Sequence, residues 1–129
     1  MKRFVKMLKD YEDFAAAKGA DLQQISAAED CLALKFSTEY RNYLEECGMA
    51  SANGHEFTGI LKSERLNVVN ATLRARRKNP DIPPTMYVVE ELQVDGLIIW
   101  QDENGTVYRA MRGERPTKIS DSLADYVSI

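Results

Sequence analysis

The stretch ALKFSTEYRNYLEECG, Ala33–Gly48, decides how the rest of the chain is read. Ser37 is a good helix N-cap, since its side-chain oxygen can accept from an orphan amide of the first turn. Glu39 suits the positive end of the helix that follows. Tyr40, Tyr43, Leu44 and Cys47 then fall at i, i+3, i+4 and i+7, a single apolar stripe. Glu39, Arg41, Asn42, Glu45 and Glu46 lie off that stripe, and Gly48 ends the helix. The periodicity places the tyrosines in a core and the charges in water.

Working outward, Phe4, Leu8, Tyr11 and Ala15 share one face of an N-terminal helix that Lys18-Gly19 is expected to close. A second helix is expected from about Leu22 to Ala33, with Ile25, Ala28 and Leu32 on one side; Ser26 and Glu29 have capping-box spacing, so it can also begin at Ser26. Met49–His55, MASANGH, reads as a loop of small and polar residues, and Gly54–Lys62 as a short strand. A fourth helix fits Val68–Lys78 with Asn67 as its cap and Val69, Leu73 and Arg76 on one face. The prolines of NPDIPP, Asn79–Pro84, must break it because they supply no helical donors.

Beyond that break the period changes. Met86–Leu92, Gly96–Gln101 and Thr106–Met111 are rich in β-branched and aromatic residues, with turn-like QVDG and DENG between them. Leu97, Ile98, Ile99 and Trp100 are apolar at consecutive positions, as in a central strand covered on both faces. A last helix is expected from Ser120 to about Val127, packing Leu123 and Val127 inward. The fold class is α+β, one domain over residues 1–129, with an antiparallel meander of about four to six strands and about five helices.

The totals set limits on function. A chain of 129 residues suits one core, and 44% hydrophobic with 29% charged residues is an ordinary globular composition. A net charge of −3 creates no general attraction to nucleic acid or anionic membrane, and favours a basic partner. Charges break the N-terminal segment and every other apolar run, so neither a signal peptide nor a membrane span is expected, and the chain reads as cytoplasmic. Cys31 and Cys47 have neither CxxC nor Cys/His ligand spacing, so no metal or other cofactor is expected, and both read as small reduced hydrophobes.

No GxSxG, HExxH, Walker-type or GxGxxG motif occurs. The single histidine, His55, lies in the expected loop and reads as solvated or as part of a binding surface; no third partner for a His-based device is indicated. Glu45-Glu46, Glu90-Glu91 and Asp102-Glu103 are adjacent pairs, whose side chains point in different directions on a helix or strand, so they read as solvated charges. The basic run RARRK, Arg74–Lys78, lacks interleaved aromatics and sits near a helix C-terminus, where cations meet the macrodipole favourably. No catalytic residues are assigned.

Read from Ile25, the chain runs Ile25-x3-Glu29-x2-Leu32-x3-Phe36-Ser37-x2-Tyr40-x2-Tyr43-Leu44-x3-Gly48. This spacing resembles the signature of the SUKH superfamily, which includes fungal regulators of cell-wall glucan synthesis. Phe36 stands where that signature has a leucine, Ser37 where it has proline and Cys47 where it has asparagine. Phe57 and Gly59, the helix NVVNATLRARR, the proline break, YVVEE…DGLIIWQDENGTVYR and ISDSLADYV continue the likeness, so it spans about Asp21 to Ile129, with 1–20 as an N-terminal helix outside the family core. The resemblance implies a non-enzymatic protein-binding module. Bacterial members are regarded as immunity proteins that neutralise toxins, often nucleases or deaminases; the fungal members imply a regulatory scaffold instead. A small-ligand or nucleic-acid binder, resting on RARRK, is a third reading. For a basic cognate toxin, the candidate contact surface is the loop and its acidic surroundings, Glu45, Glu46, Met49, His55 and Glu56, then the DENG turn, Asp102 and Glu103. The toxin's identity, the oligomeric state and the host stay open.

Overall fold

The computed structural model describes residues 3–92 and 96–129; of the turn expected at 93–96, all but Gly96 lies outside them. Among the described residues the chain forms five helices and two antiparallel sheets, of three and four strands. In order these are α1 (Arg3–Lys9), β1 (Ala15–Ala16), α2 (Leu22–Leu32), α3 (Thr38–Cys47), β2 (Ala50–Ala52) and β3 (His55–Glu56). Then come α4 (Val68–Lys78), β4 (Tyr87–Glu91), β5 (Ile98–Gln101), β6 (Val107–Ala110), β7 (Thr117–Ser120) and α5 (Leu123–Val127).

The opening stretch folds as its pattern requires. Ser37 caps α3, its Oγ accepting from the Tyr40 amide at 3.0 Å, and Tyr40, Tyr43, Leu44 and Cys47 are the buried face. The tyrosine hydroxyls reach partners: Tyr40 OH lies 2.8 Å from Thr58 Oγ1, and Tyr43 OH donates to Thr58 O at 2.6 Å while accepting from Ala50 N at 2.9 Å. Rings of Phe4, Phe36, Phe57 and Tyr87 pack around them at centroid separations of 5.0–6.4 Å, in the tilted and edge-on arrangements that aromatic quadrupoles favour. Burial pushes the Tyr40 phenol above its usual range, so it stays neutral in the core.

Glycine allows three backbone segments to meet at the end of α3. Gly48 turns the chain with φ +65°, and a Cβ on Gly59 would sit 1.7 Å from the Gly48 carbonyl oxygen. No side chain fits there, and the contact lets Ile60 N donate to Gly48 O at 2.7 Å.

Helix α2 runs over Leu22–Leu32 as expected, but other helix expectations are corrected. The N-terminal helix stops at Lys9, not Lys18, because Ala15 and Ala16 pair with Ser51 and Ala50 of β2. Alanine's helix preference is a weak bias that a non-local ladder overrides. Helix α2 is capped by Asp21, which exchanges hydrogen bonds with Gln24 in a capping box, so Ser26 is mid-helix and Glu29 is buried. In α4, Asn67 is the cap as expected, but the buried face is Val68, Ala71, Thr72 and Ala75, while Leu73 is exposed. Small side chains on that face let the helix lie close to the sheet, where Thr72 Oγ1 accepts from Val88 N at 3.0 Å and so satisfies part of the outer edge of β4.

The meander β4-β5-β6-β7 is antiparallel throughout. Strand β5 is central and buried on both faces: Ile98 and Trp100 face α4 with Ala71, Ala75 and Val88, while Ile99 joins the main core with Tyr87 and Val107. Strand β7 takes residues 117–120, so the last helix begins after Ser122, which caps it, and not at Ser120. Leu123 and Val127 face inward as expected.

Candidate interaction surface

Met49–His55 is no loop. Ala50–Ala52 and His55–Glu56 form a hairpin, paired Ser51↔Glu56 and Ala52↔His55, around the two residues Asn53 and Gly54. Both have positive φ, +51° and +76°, the signature of the tight Asn-Gly turn whose twist matches its flanking strands. The dipeptide was visible in the sequence; the strands beside it are too short, and β2 too alanine-rich, to announce themselves.

Asp13 clamps this turn. Its carboxylate accepts from Asn53 N at 2.7 Å and from Gly54 N at 3.0 Å, and these two amides hold its acid below the ordinary aspartate value. Asn53 Nδ2 reaches Val127 O of α5 at 2.8 Å. The tip of the hairpin is thereby tied to the segment before β1 and to the last helix. Nothing in the spacing of Asp13 and Asn53 signals this, since forty positions separate them.

His55 is mostly covered, its side chain 17% exposed, and is not solvated as expected. It stacks on Phe57 and tilts against Tyr126, and its Nδ1 lies 3.0 Å from Glu90 Oε1. Glu90 also accepts from Tyr126 OH at 2.5 Å and from Glu56 N at 3.1 Å. Burial, with the Glu90 carboxylate adding to it, holds the Tyr126 phenol well above its usual range, so it remains a proton donor. Of the pair Glu90-Glu91, then, Glu90 is buried, at 2% exposure, while Glu91 pairs with Arg74 on the α4 side at 2.6 Å. A carboxylate orienting a histidine supplies two of the three members of a nucleophilic triad, but no serine, threonine or cysteine hydrogen-bonds His55 among the described residues. The geometry is a clasp joining β3, β4 and α5.

The residues singled out from the sequence divide by place. Glu45 and Glu46 are exposed at the C-terminal end of α3, with Lys9 at 3.4 Å from Glu46. Met49 is half-buried, its carbonyl accepting from Ala17 N. Glu56 is exposed on β3 and pairs with Arg65 at 2.8 Å. These lie on α3's end and the hairpin it feeds. Asp102 and Glu103 are elsewhere: Gln101 Nε2 bonds both Glu39 and Gly105 O, which puts the DENG turn at the other end of α3. At 1.5 Å per residue, Glu39 and Glu45 are roughly 9 Å apart along the axis. Asp102 is also occupied, its carboxylate accepting from Asn104 N, Thr106 N and Tyr108 OH, while Glu103 is exposed.

Other expectations can be placed too. Cys47 is buried, but Cys31 is exposed on α2 and is no core hydrophobe. In the RARRK run, Arg74 pairs with Glu91 and Arg76 donates to Leu32 O and Pro84 O, whereas Arg77 and Lys78 are exposed. No group of three His, Cys, Asp or Glu side chains among the described residues could hold a metal ion, and no helix there is long and apolar enough to cross a membrane.

An α+β domain with a capped α3, a glycine-tight junction after it and a four-stranded meander is the architecture that the signature residues hold together, and it is the family match over residues 1–128 that places the chain in the SUKH superfamily. Within that superfamily the family model SUKH_5, described as SMI1-KNR4 cell-wall, matches residues 1–128, and the chain belongs to this family. The match takes in the N-terminal segment as well as the region from Asp21 onward. No curated protein matches the chain.

Proposed function

We propose that the protein is a non-enzymatic binding module, an immunity protein that neutralises a cognate bacterial toxin of the nuclease or deaminase type by direct contact in the cytoplasm. Membership of the SUKH superfamily supports a protein-binding role. The observation that carries the reading is the clamped hairpin: Asp13 and Asn53 order its tip before any partner arrives, which lowers the entropy lost on binding. Around it stand exposed Glu12, Glu45, Glu46 and Glu56, a field that would steer a basic toxin face and weaken in salt. Asp102 and Glu103 form a second, separate patch, and Met49 at the base of the hairpin and His55 beside its turn contribute.

The alternative is a regulatory scaffold, which the cell-wall description of the family favours. Co-expression with the product of the adjacent gene separates the two. Rescue from that product's toxicity together with co-purification is the expected result, and charge reversal at Glu45, Glu46 and Glu56 should weaken the complex. Neither rescue nor complex would favour the scaffold.

A further inference from the structure

On the far side of the sheet from the main core, α4 and the β4–β5 pair enclose a cleft of about 480 Å³, within the range of small-ligand sites. Its apolar lining is Ala75, Leu92, Leu97 and Ile98, of which Leu92 also packs against the main core. Its rim carries three cations, Arg74, Lys78 and Arg112, against one carboxylate, Glu91. That carboxylate is already engaged by Arg74 at 2.6 Å, and Lys78 and Arg112 have no acidic partner among the described residues. In a chain of net charge −3, this is a local excess of positive charge over an apolar surface.

We infer that this cleft binds a small organic anion, its charged group between Lys78 and Arg112 and its apolar body on Leu92, Leu97 and Ile98. The backbone segments that carry the two cations are joined. Buried Asn79, directly after Lys78, accepts from Gly113 N at 2.7 Å, which ties the turn carrying Arg112 to the end of α4. The C-terminus of α4 opposes an anion with roughly half a charge, less than the cations on the rim supply, and Asn79 N already occupies the carbonyls of Ala75 and Arg76. The cleft shares no residue with the proposed toxin-contact surface, so its test is independent of that reading.

The test uses anilinonaphthalenesulfonate, a fluorescent aromatic anion, titrated into the native full chain, with its uncharged parent N-phenylnaphthylamine as the comparison. Saturable one-to-one binding of the sulfonate is expected. Reversing both exposed cations, Lys78→Glu with Arg112→Glu, should weaken it by at least about tenfold, and the uncharged parent should bind correspondingly more weakly. Lys18→Glu with Lys62→Glu, placed on another surface, should leave binding unchanged, and the melting temperatures of both variants show whether the fold is kept. Absence of saturable binding, equal affinity for the uncharged parent, or unaltered binding by a folded Lys78/Arg112 variant would each overturn the assignment.

Discussion

His55 Nδ1 and Glu90 Oε1 lie 3.0 Å apart because of a single extra residue in β4. Tyr87 pairs with Gln101 and Val88 with Trp100, but Glu90 pairs with Ile99, leaving Val89 as a bulge. Regular alternation would send Glu91 to the side of Tyr87 and Glu90 to the side of Val88. The bulge exchanges them, turning Glu90 towards His55 and Tyr126, and Glu91 towards Arg74.

The two neighbouring glutamates should therefore differ sharply. Glu90→Ala leaves the Tyr126 hydroxyl and the Glu56 amide without their acceptor and is expected to cost about 3 kcal/mol. Glu91→Ala breaks only a partly exposed pair and should cost about 1 kcal/mol or less. Denaturant unfolding of the two variants measures this; equal losses would remove the bulge as the explanation.

Tyr43 offers a separate test of the α3 face. Tyr43→Phe keeps the ring but strands the Thr58 carbonyl and the Ala50 amide, at a cost of about 2 kcal/mol. Tyr43→Ala and Tyr40→Ala remove the rings as well and should each cost about 3 kcal/mol or more. Wild-type melting temperatures for all three would contradict this account of the core.

Asp13 makes hairpin order dependent on pH. The Asn53 and Gly54 amides stabilise its folded-state carboxylate against protonation, so its pKa is depressed, and its contribution is fully present above the unfolded value of about 3.9. The contribution is lost as pH falls below that value through the lower folded one. Hydrogen exchange at Asn53 and Gly54, corrected for the intrinsic rates, should show protection falling across this window. Asp13→Ala should abolish that dependence; an unchanged profile in the variant would assign the effect to another group.

The cysteines should react unequally. Cys31 is exposed, whereas Cys47 is buried and its thiol is pushed up by that burial, with Lys9 opposing and Glu46 adding to the shift. Iodoacetamide at neutral pH should label Cys31 in the native protein and Cys47 only after denaturation. Mass spectrometry showing both labelled at similar native rates would contradict the packing of α3.

Much of the fold was legible because its signals are local. Ser37, the Tyr40/Tyr43/Leu44/Cys47 stripe and Gly48 encode α3 within one short stretch, and Asn67 marks the start of α4 in the same way. The consecutive apolar run of β5 announces a strand buried on both faces. The face of α4 was misjudged because its buried positions are small or polar, Ala71, Thr72 and Ala75, and only the nearness of the sheet makes them interior. For the candidate interaction surface, charge and loop character pointed to Glu45, Glu46 and Glu56, but not to Asp13 or to the structural employment of Asp102.

By itself, then, the sequence determined the caps of α3 and α4, the apolar stripe of α3, the strand order's raw material and the spacing that carries the family. Only the tertiary structure decided that Ala15 and Ala16 leave the helix, that MASANGH is a clamped hairpin, and which of Glu90 and Glu91 enters the interior. The physical reason is common to all three. Each outcome depends on hydrogen-bond partners distant in sequence, and a backbone group with a competing non-local partner does not obey its local preference.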